Sequence, residues 1–351
     1  MAQINKPNTY FNTVLYTGNG STQSITGVGF QPDLIWSKGR SLAGFDHSVT
    51  DSSRGNTKRI FPSRTDGDVT CTVAVTSFDS DGFSLGNDNC ATLANLNNYN
   101  TQTYVNWLWK ANGGTTSSNT SGSITSTVQA NTTSGFSIVK YTGTGANATV
   151  GHGLGVAPKM IIGKGLGNAI NWTVGGSNIS SNWTSSLALN STAAVNVANY
   201  WQDQAPNTST FALSSDIGVN ASGLDFIAYC FAEKKGFSKF GSYTGNGSSD
   251  GPFVYTGFKP AFVVLKRSDS SPFDWFMHDN KRNGFNPDND YLQANTSSSE
   301  TNFDGLIDFV SNGFKIRTTS TAYNASGGTY IYMCFAENPL VGTNNIPATA
   351  R

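Results

Sequence analysis

The chain has 351 residues, with 22 basic and 22 acidic side chains, so its formal net charge is zero. Charged residues make up only 13% of it and form no basic stripe, which argues against a nucleic-acid binder. No apolar stretch is long enough to cross a bilayer, so no membrane insertion is expected. The first eight residues have no apolar core, so no secretory signal is expected either.

A ten-residue pattern occurs three times, and such a self-repeat determines the architecture. It reads glycine, apolar, any residue, proline, any residue, three apolar residues, any residue, lysine; we call it the Pro–Lys motif. Its copies occupy residues 29–38, 155–164 and 257–266. Each proline lies at the mouth of an apolar run, where it costs a strand no ladder hydrogen bond.

Two further markers flank each Pro–Lys motif. A Tyr-Thr-Gly-x-Gly sequence begins 13, 14 and 14 residues before the motif, at Tyr16, Tyr141 and Tyr243. An apolar aromatic run begins 72, 68 and 70 residues after the motif's proline, at Tyr104, Phe226 and Tyr330. Ordered markers at near-constant spacing predict three copies of one domain, each of about a hundred residues.

Composition sets the expected boundaries. Copy 1 covers residues 1–111 with an amino-terminal leader, the diverged copy 2 covers 135–238, and copy 3 covers 239–339. Residues 112–134 are almost wholly Asn, Gly, Ser and Thr, which predicts a soft linker in which residues 124–128 could form a short strand. Residues 340–351 are expected to form an extended tail.

The local pattern is that of strands joined by turns. The 38 glycines, with Asn-Gly and Asp-Gly pairs, separate short runs rich in Val, Ile, Phe, Tyr and Trp. The best helical candidate is short, at residues 298–309. We therefore predict an all-β chain of three tandem antiparallel β-sandwich domains of similar topology.

The four cysteines give two expectations. Cys230 and Cys334 occupy one position in copies 2 and 3, where copy 1 has Leu108, so they are expected to be free core residues. Cys71 and Cys90 lie within copy 1, where a bridge is conceivable. Because no secretory signal is expected, assembly in the cytoplasm is expected, and that compartment favours free thiols for the pair.

One set of acidic and basic residues recurs at identical spacing in the outer copies. Its members are Asp46, Asp51 and Arg54 in copy 1, and Asp274, Asp279 and Arg282 in copy 3. Paired carboxylates suit calcium binding or glycosidic acid–base chemistry. Because the set recurs in duplicated domains, we favour a structural role, in which an Asp–Arg pair pins a loop across the sandwich.

Aromatic residues in polar surroundings are the other candidate site. They are Trp172, Trp183, Tyr200, Trp201, Trp275 and Phe276. Aromatic faces stack on sugar rings, so a surface that contacts a glycan or a protein partner is one hypothesis. The alternative, which we favour, is that these residues fill a sandwich core or a subunit interface.

The chain has few residues suited to catalysis. Its three histidines are His47, His152 and His278, and the two in corresponding loops lie at different offsets. No HExxH sequence, CxxC pair or Walker-type loop occurs, and the Cys and His spacing does not suit zinc. The sequence predicts no enzyme, no cofactor and no metal.

Three segments carry a family resemblance. Residues Tyr16–Ser21, Gly29–Trp36 and Tyr330–Pro339 resemble a repeat module of marine bacteriophage virion structural proteins and tail-fibre-like proteins. The resemblance covers nearly the whole chain except the linker. It implies a non-enzymatic virion component, assembled in the host cytoplasm, with other virion proteins as partners, and it supplies no binding residues.

Two functional classes follow from that resemblance. In the favoured one, the chain is a tail appendage or fibre component that mediates host attachment, with a host-surface glycan as a candidate partner. In the other, it is a capsid decoration or cement protein on the head. A glycan-binding or depolymerase module is the weaker alternative. A homo-oligomer, either trimer or hexamer, is expected.

Overall fold

The strand pairs that the structure describes are antiparallel, and an isolated bridge between Ile124 and Val150 is parallel. The computed structural model describes residues 3–283, 285–342 and 347–349. The predicted all-β class is confirmed, because these residues are nearly all strand and loop. The helical segments among them are a 3₁₀ helix over Pro7–Thr9 and two single turns, α1 (Ile217–Asn220) and α2 (Thr321–Asn324).

Copy 1 forms a main sheet and a small sheet. Its strands are β1 (Phe11–Thr17), β2 (Gln23–Ile25), β3 (Leu34–Gly39), β4 (Ser48–Asp51), β5 (Lys58–Ile60), β6 (Val69–Thr70), β7 (Val75–Asp79), β8 (Gly82–Leu85) and β9 (Thr103–Trp109). The main sheet has the order β1-β9-β3-β4-β5-β6, and the small sheet has the order β2-β8-β7.

Copy 2 and the segment before it form a second pair of sheets. The strands are β10 (Ser117–Asn119), β11 (Ser126–Asn131), β12 (Phe136–Thr142), β13 (Ala148–Gly151), β14 (Met160–Gly165), β15 (Thr173–Gly176), β16 (Leu187–Ala188), β17 (Thr210–Leu213) and β18 (Asp225–Phe231). The main sheet has the order β10-β11-β12-β18-β14-β15-β16, and β13 pairs with β17.

Copy 3 forms one eight-stranded sheet. Its strands are β19 (Ser238–Thr244), β20 (Phe253–Tyr255), β21 (Phe258–Arg267), β22 (Trp275–Asp279), β23 (Asp288–Gln293), β24 (Thr301–Val310), β25 (Gly313–Ile316) and β26 (Thr329–Pro339). The order is β19-β26-β21-β22-β23-β24-β25-β20.

The three copies share one strand order. The orders β1-β9-β3-β4, β12-β18-β14-β15 and β19-β26-β21-β22 correspond strand for strand, and so do the pairs β2-β8, β13-β17 and β20-β25. The registers correspond too. The first of the three consecutive apolar residues of each motif is Leu34, Met160 or Phe262, and it pairs with Trp109, Phe231 or Phe335, respectively. Residues of different copies can therefore be matched position by position.

Each motif strand is buried on both faces, which explains its unbroken apolar run. In β3, Ile35 packs in a cluster with the small sheet of copy 1, whereas Leu34 and Trp36 face a different and larger cluster. The matching residues of β14 and β21 divide in the same way between a cluster within their own copy and the large one.

The large cluster is shared by all three copies. At its centre Phe335 of copy 3 has its ring centroid 5.1 Å from Phe11 and 5.5 Å from Trp109, both of copy 1, and 5.9 Å from Phe231 of copy 2. Each main sheet thus presents one face to a common core. The other face of each main sheet packs against a cluster within its own copy, so only that face has a separate domain core.

Two local expectations are wrong. Residues 112–134 are not a soft linker along their length, because β10 and β11 add to the edge of β12 and the buried Asp33 carboxylate accepts the amides of Ala111, Gly113 and Gly114. The short helix expected at residues 298–309 is instead the strand β24, which pairs with β25 through Phe309 and its neighbours.

The described part of the leader contacts copy 3 and the residues that follow it. In the leader, the amide of Ile4 donates to the Lys235 carbonyl and the Gln3 side chain donates to the Val341 carbonyl. Val341 forms an isolated bridge with Pro347. The other residues of the predicted tail, 343–346, 350 and 351, lie outside the described residues, as do the first two of the leader.

Candidate functional site

The lysine of each Pro–Lys motif joins two copies. All three lysines are fully buried, and each ammonium group donates to one carbonyl in its own copy and one in the preceding copy, where copy 3 precedes copy 1. In chain order, the lysines are Lys38, Lys164 and Lys266, the acceptors in the same copy are Phe45, Ile170 and Phe273, and those in the preceding copy are Ser297, Thr65 and Thr192. Burial lowers the pKa of each lysine to about 8.

A second set of hydrogen bonds repeats the same cycle. The indole N–H of Trp172 donates to the Phe61 carbonyl of copy 1 at 2.9 Å, and that of Trp275 donates to the Ala188 carbonyl of copy 2 at 3.0 Å. In copy 1 the corresponding residue is His47, whose Nε2 lies 2.9 Å from the Gln293 carbonyl oxygen of copy 3. The three copies therefore close a ring.

The aromatic residues considered as a sugar-binding surface do not form one. Trp172, Trp183, Trp201, Trp275 and Phe276 are all buried, and Tyr200 is half-buried. Trp183 and Trp201 pack edge to face within copy 2, at a centroid distance of 5.4 Å. Their polar neighbours in sequence belong to loops that fold over them. The core and interface interpretation accounts for these residues.

The recurring Asp–Arg sets are ion pairs inside the ring. Arg54 Nε lies 2.6 Å from an Asp51 carboxylate oxygen, and Arg282 Nε lies 2.6 Å from the corresponding Asp279 oxygen. Each carboxylate also accepts from the last strand of another copy: Asp51 from the Tyr229 hydroxyl, and Asp279 from the indole of Trp107.

The first aspartate of each set has a different setting. Asp46 accepts from Ser63 and Arg64, and Asp274 accepts from Gln293 and Asn295. The acceptor oxygens of all four aspartates are thus engaged with protein donors in loops and strands. They do not line a shared cleft, so the arrangement does not supply the paired carboxylates that a calcium site or a glycosidase needs.

The cysteines divide as two pairs. Cys230 and Cys334 are buried and free, as expected, and burial raises the pKa of both thiols. Cys71 and Cys90 form a disulfide with Cα atoms 5.6 Å apart, against the expectation of free thiols. Asp88 lies beside them, but Arg59 holds its carboxylate at 2.9 Å. A guanidinium group at that position opposes binding of a metal cation.

An open groove lies between copies 2 and 3. Its volume is about 540 Å³, and we call it the junction groove. It is lined by Val156, Ala157, Lys159, Glu233, Lys234, Lys235, Gly236, Ser238, Lys239, Tyr255, Thr256 and Gly257. Four of these side chains are lysines and one is acidic. In a chain without net charge, this is a marked local excess of positive charge.

The lysines of the junction groove differ in their pairing. Lys239 lies 2.9 Å from Glu233, but among the described residues no carboxylate forms an ion pair with Lys159, Lys234 or Lys235. Lys234 is only 9% exposed, and burial lowers its pKa. Sequence reasoning missed this site, although three lysines in six residues, 234–239, were a visible signal in a chain so poor in charge.

The fold and the groove define an all-β protein in which three copies of one unit close around a common core. The chain belongs to the family described as Domain of unknown function (DUF7483), which matches residues 6–339. A search of curated proteins found no match. No described helix is long and apolar enough to span a membrane.

Proposed function

We propose that this protein is a structural component of a bacteriophage virion, a tail appendage that attaches the particle to the host surface and catalyses no reaction. We also propose that its three copies are β-sandwich units that arose by triplication of one ancestor. On this view the chain is assembled in the host cytoplasm, and its partners are other virion proteins.

One observation carries the proposal: the polar side chains that recur between copies are engaged in holding the copies together. Three recurring sets of side chains contact a neighbouring copy. They are the motif lysines, the matched residues Trp172, Trp275 and His47, and the Asp–Arg pairs. A catalytic constellation has side chains that converge on an open cleft, which these do not. A rigid body that presents a surface is what such a network favours.

The disulfide is consistent with the proposal if it forms after release. Cytoplasmic assembly favours free thiols, whereas a virion protein meets oxidising surroundings after lysis, where a disulfide persists. The sequence resemblance to virion modules points the same way. The appendage function is preferred over head decoration because the junction groove offers a site for a surface ligand.

Localisation on purified particles tests the proposal. Antibody labelling, followed by a particle reconstruction, should place a few copies of the chain at the tail. Hundreds of copies on the head would replace attachment with the decoration function, and absence from purified particles would contradict a virion role altogether. Incubation with host-surface polysaccharide should release no new reducing ends, whereas their release would contradict the non-enzymatic assignment.

A further inference from the structure

We propose that the junction groove binds an acidic saccharide, a sugar chain that carries carboxylate or sulfate groups. The class of ligand follows from the groove itself. Only the source of the ligand, the host surface, rests on the proposed function. The proposal therefore deepens the attachment role by naming the chemistry that the attachment site recognises.

The charge arrangement is the first reason. Lys159 and Lys235 are exposed at the groove, and neither is paired with a carboxylate among the described residues. Lys234 lies between copies 2 and 3, is only 9% exposed, and also lacks an acidic partner among the described residues. Burying a charge without a counter-ion costs free energy, so an anionic ligand there would recover part of that cost.

The internal repeat supplies a control. The positions of Lys159, Lys234 and Lys239 recur in the other two copies because the strand registers correspond. Their counterparts are Asp33, Asn112 and Ser137 at the junction of copies 1 and 2, and Ala261, Asn338 and Asn12 at the junction of copies 3 and 1. Neither of those junctions has a lysine at any of these three positions. The lysines of the junction groove are thus not required by the architecture.

The form of the groove favours a saccharide over a nucleic acid. Tyr255 is 58% exposed at the groove wall, and an exposed aromatic ring offers a face for a sugar ring. A nucleic-acid site needs a basic stripe that follows many phosphates, with arginine or several aromatic rings for the bases. Among its described lining residues the junction groove has no arginine and has Tyr255 as its one aromatic side chain, and the chain has zero net charge.

Calorimetric titration of the whole chain tests the proposal. The probes are a heparin-derived hexasaccharide, neutral maltohexaose and a single-stranded DNA oligonucleotide of matched charge. We expect the sulfated, uronate-containing hexasaccharide to bind, with affinity that falls as salt rises, and we expect maltohexaose not to bind. The double variant Lys159→Gln/Lys235→Gln, which changes two exposed side chains, should weaken binding by about tenfold or more.

The variants also distinguish local from general charge effects. Lys234→Met should weaken binding further, and a thermal unfolding scan will show that the variant is folded. Lys281→Gln, at an exposed lysine of copy 3 outside the groove, is the matched control and should leave the affinity unchanged. A loss of binding in Lys281→Gln equal to that in the double variant would overturn the assignment.

Two other outcomes would also overturn it. One is no binding of the hexasaccharide at low salt, and the other is DNA binding that is tighter and equally sensitive to the groove variants. Neither outcome bears on where the chain lies in the particle. The ligand class and the proposed function can therefore fail independently.

Discussion

His47 shows how one contact between copies can be made by different side chains. Trp172 and Trp275 at the matching positions donate an indole N–H to a carbonyl of the preceding copy. His47 does the same through Nε2, while its Nδ1 accepts from the Trp36 indole at 2.9 Å. These partners fix a neutral imidazole with its proton on Nε2. Because that tautomer makes the contact, copy 1 is the acid-sensitive member of the ring of three copies.

Acid should therefore weaken the contact between copies 1 and 3. Burial, with Lys38 and Arg282 nearby, lowers the pKa of His47 well below 6.5, so the unfolded chain binds the proton first. The stabilisation is present above pH 6.5 and is lost as the pH falls below it, by about 1 kcal/mol per pH unit. Urea denaturation of wild type and His47→Gln between pH 7 and 5 should show a steeper decline for wild type. Equal slopes would contradict this prediction.

Residue identity predicted some of these roles and missed others. The position of Cys230 and Cys334 opposite Leu108 correctly predicted buried thiols, and the repetition of Asp51–Arg54 as Asp279–Arg282 predicted ion pairs. A core or interface position was favoured for Trp172 and Trp201, as the structure shows, but surrounding Asn and Ser kept an exposed sugar-contacting surface as the alternative. Burial depends on which loop folds over a side chain, and this information is distributed along the chain.

At the scale of elements, the spacing of markers predicted strands well and connections poorly. Three consecutive apolar residues in each motif gave the strands β3, β14 and β21. Residues 112–134 were misjudged because composition indicates what a segment can bury, whereas pairing depends on an available edge. The β12 edge and the Asp33 carboxylate hold that segment. Strand β24 was mistaken for a short helix because the spacing of apolar residues in so short a segment does not distinguish the two. Pairing with neighbouring strands determines its structure.

Asp33 should control the order of the segment between copies 1 and 2. Asp33→Ala removes an acceptor of three amides and of the Ser52 hydroxyl. The amides of Ala111 and Gly113 then lose their protein partner, and that of Gly114 keeps only the Gln129 side chain. We expect a loss of about 2 kcal/mol or more in unfolding free energy, with faster hydrogen exchange at residues 111, 113 and 114. Asp33→Asn retains one acceptor oxygen and should fall between. Unchanged exchange in Asp33→Ala would refute the capping role.

At the scale of the whole molecule, the shared core should make the copies unfold together. Phe335 packs on rings from both other copies, so Phe335→Ala should destabilise the entire chain by about 3–5 kcal/mol. Phe303→Ala, at a side chain that is 54% exposed, is the control and should change stability by less than about 0.5 kcal/mol. Scanning calorimetry should show one transition that shifts as a unit. Three resolved transitions would restore the picture of independent domains.

The sequence revealed the number of copies but not their closure. Markers report similarity between copies, and nothing in their spacing says that Lys38 of the first copy reaches Ser297 of the third. Successive residues of each motif strand pack alternately in the shared core and in a cluster of their own copy. This alternation can be interpreted only when both buried faces of the strand are known. The predicted trimer or hexamer of chains remains a prediction, separate from the ring that a single chain forms.

Covalent fusion of the three units has a consequence for how the protein can change. In an assembly of three identical chains, every substitution appears at all three junctions, and a harmful effect is tripled. Here the residues of each junction are encoded separately, so a substitution appears at one junction only. One of them could acquire positive charge at residues 159, 234 and 239 while another kept the aspartate that orders residues 111–114. Ligand specificity could thus arise at one junction while the other two continued to hold the body together.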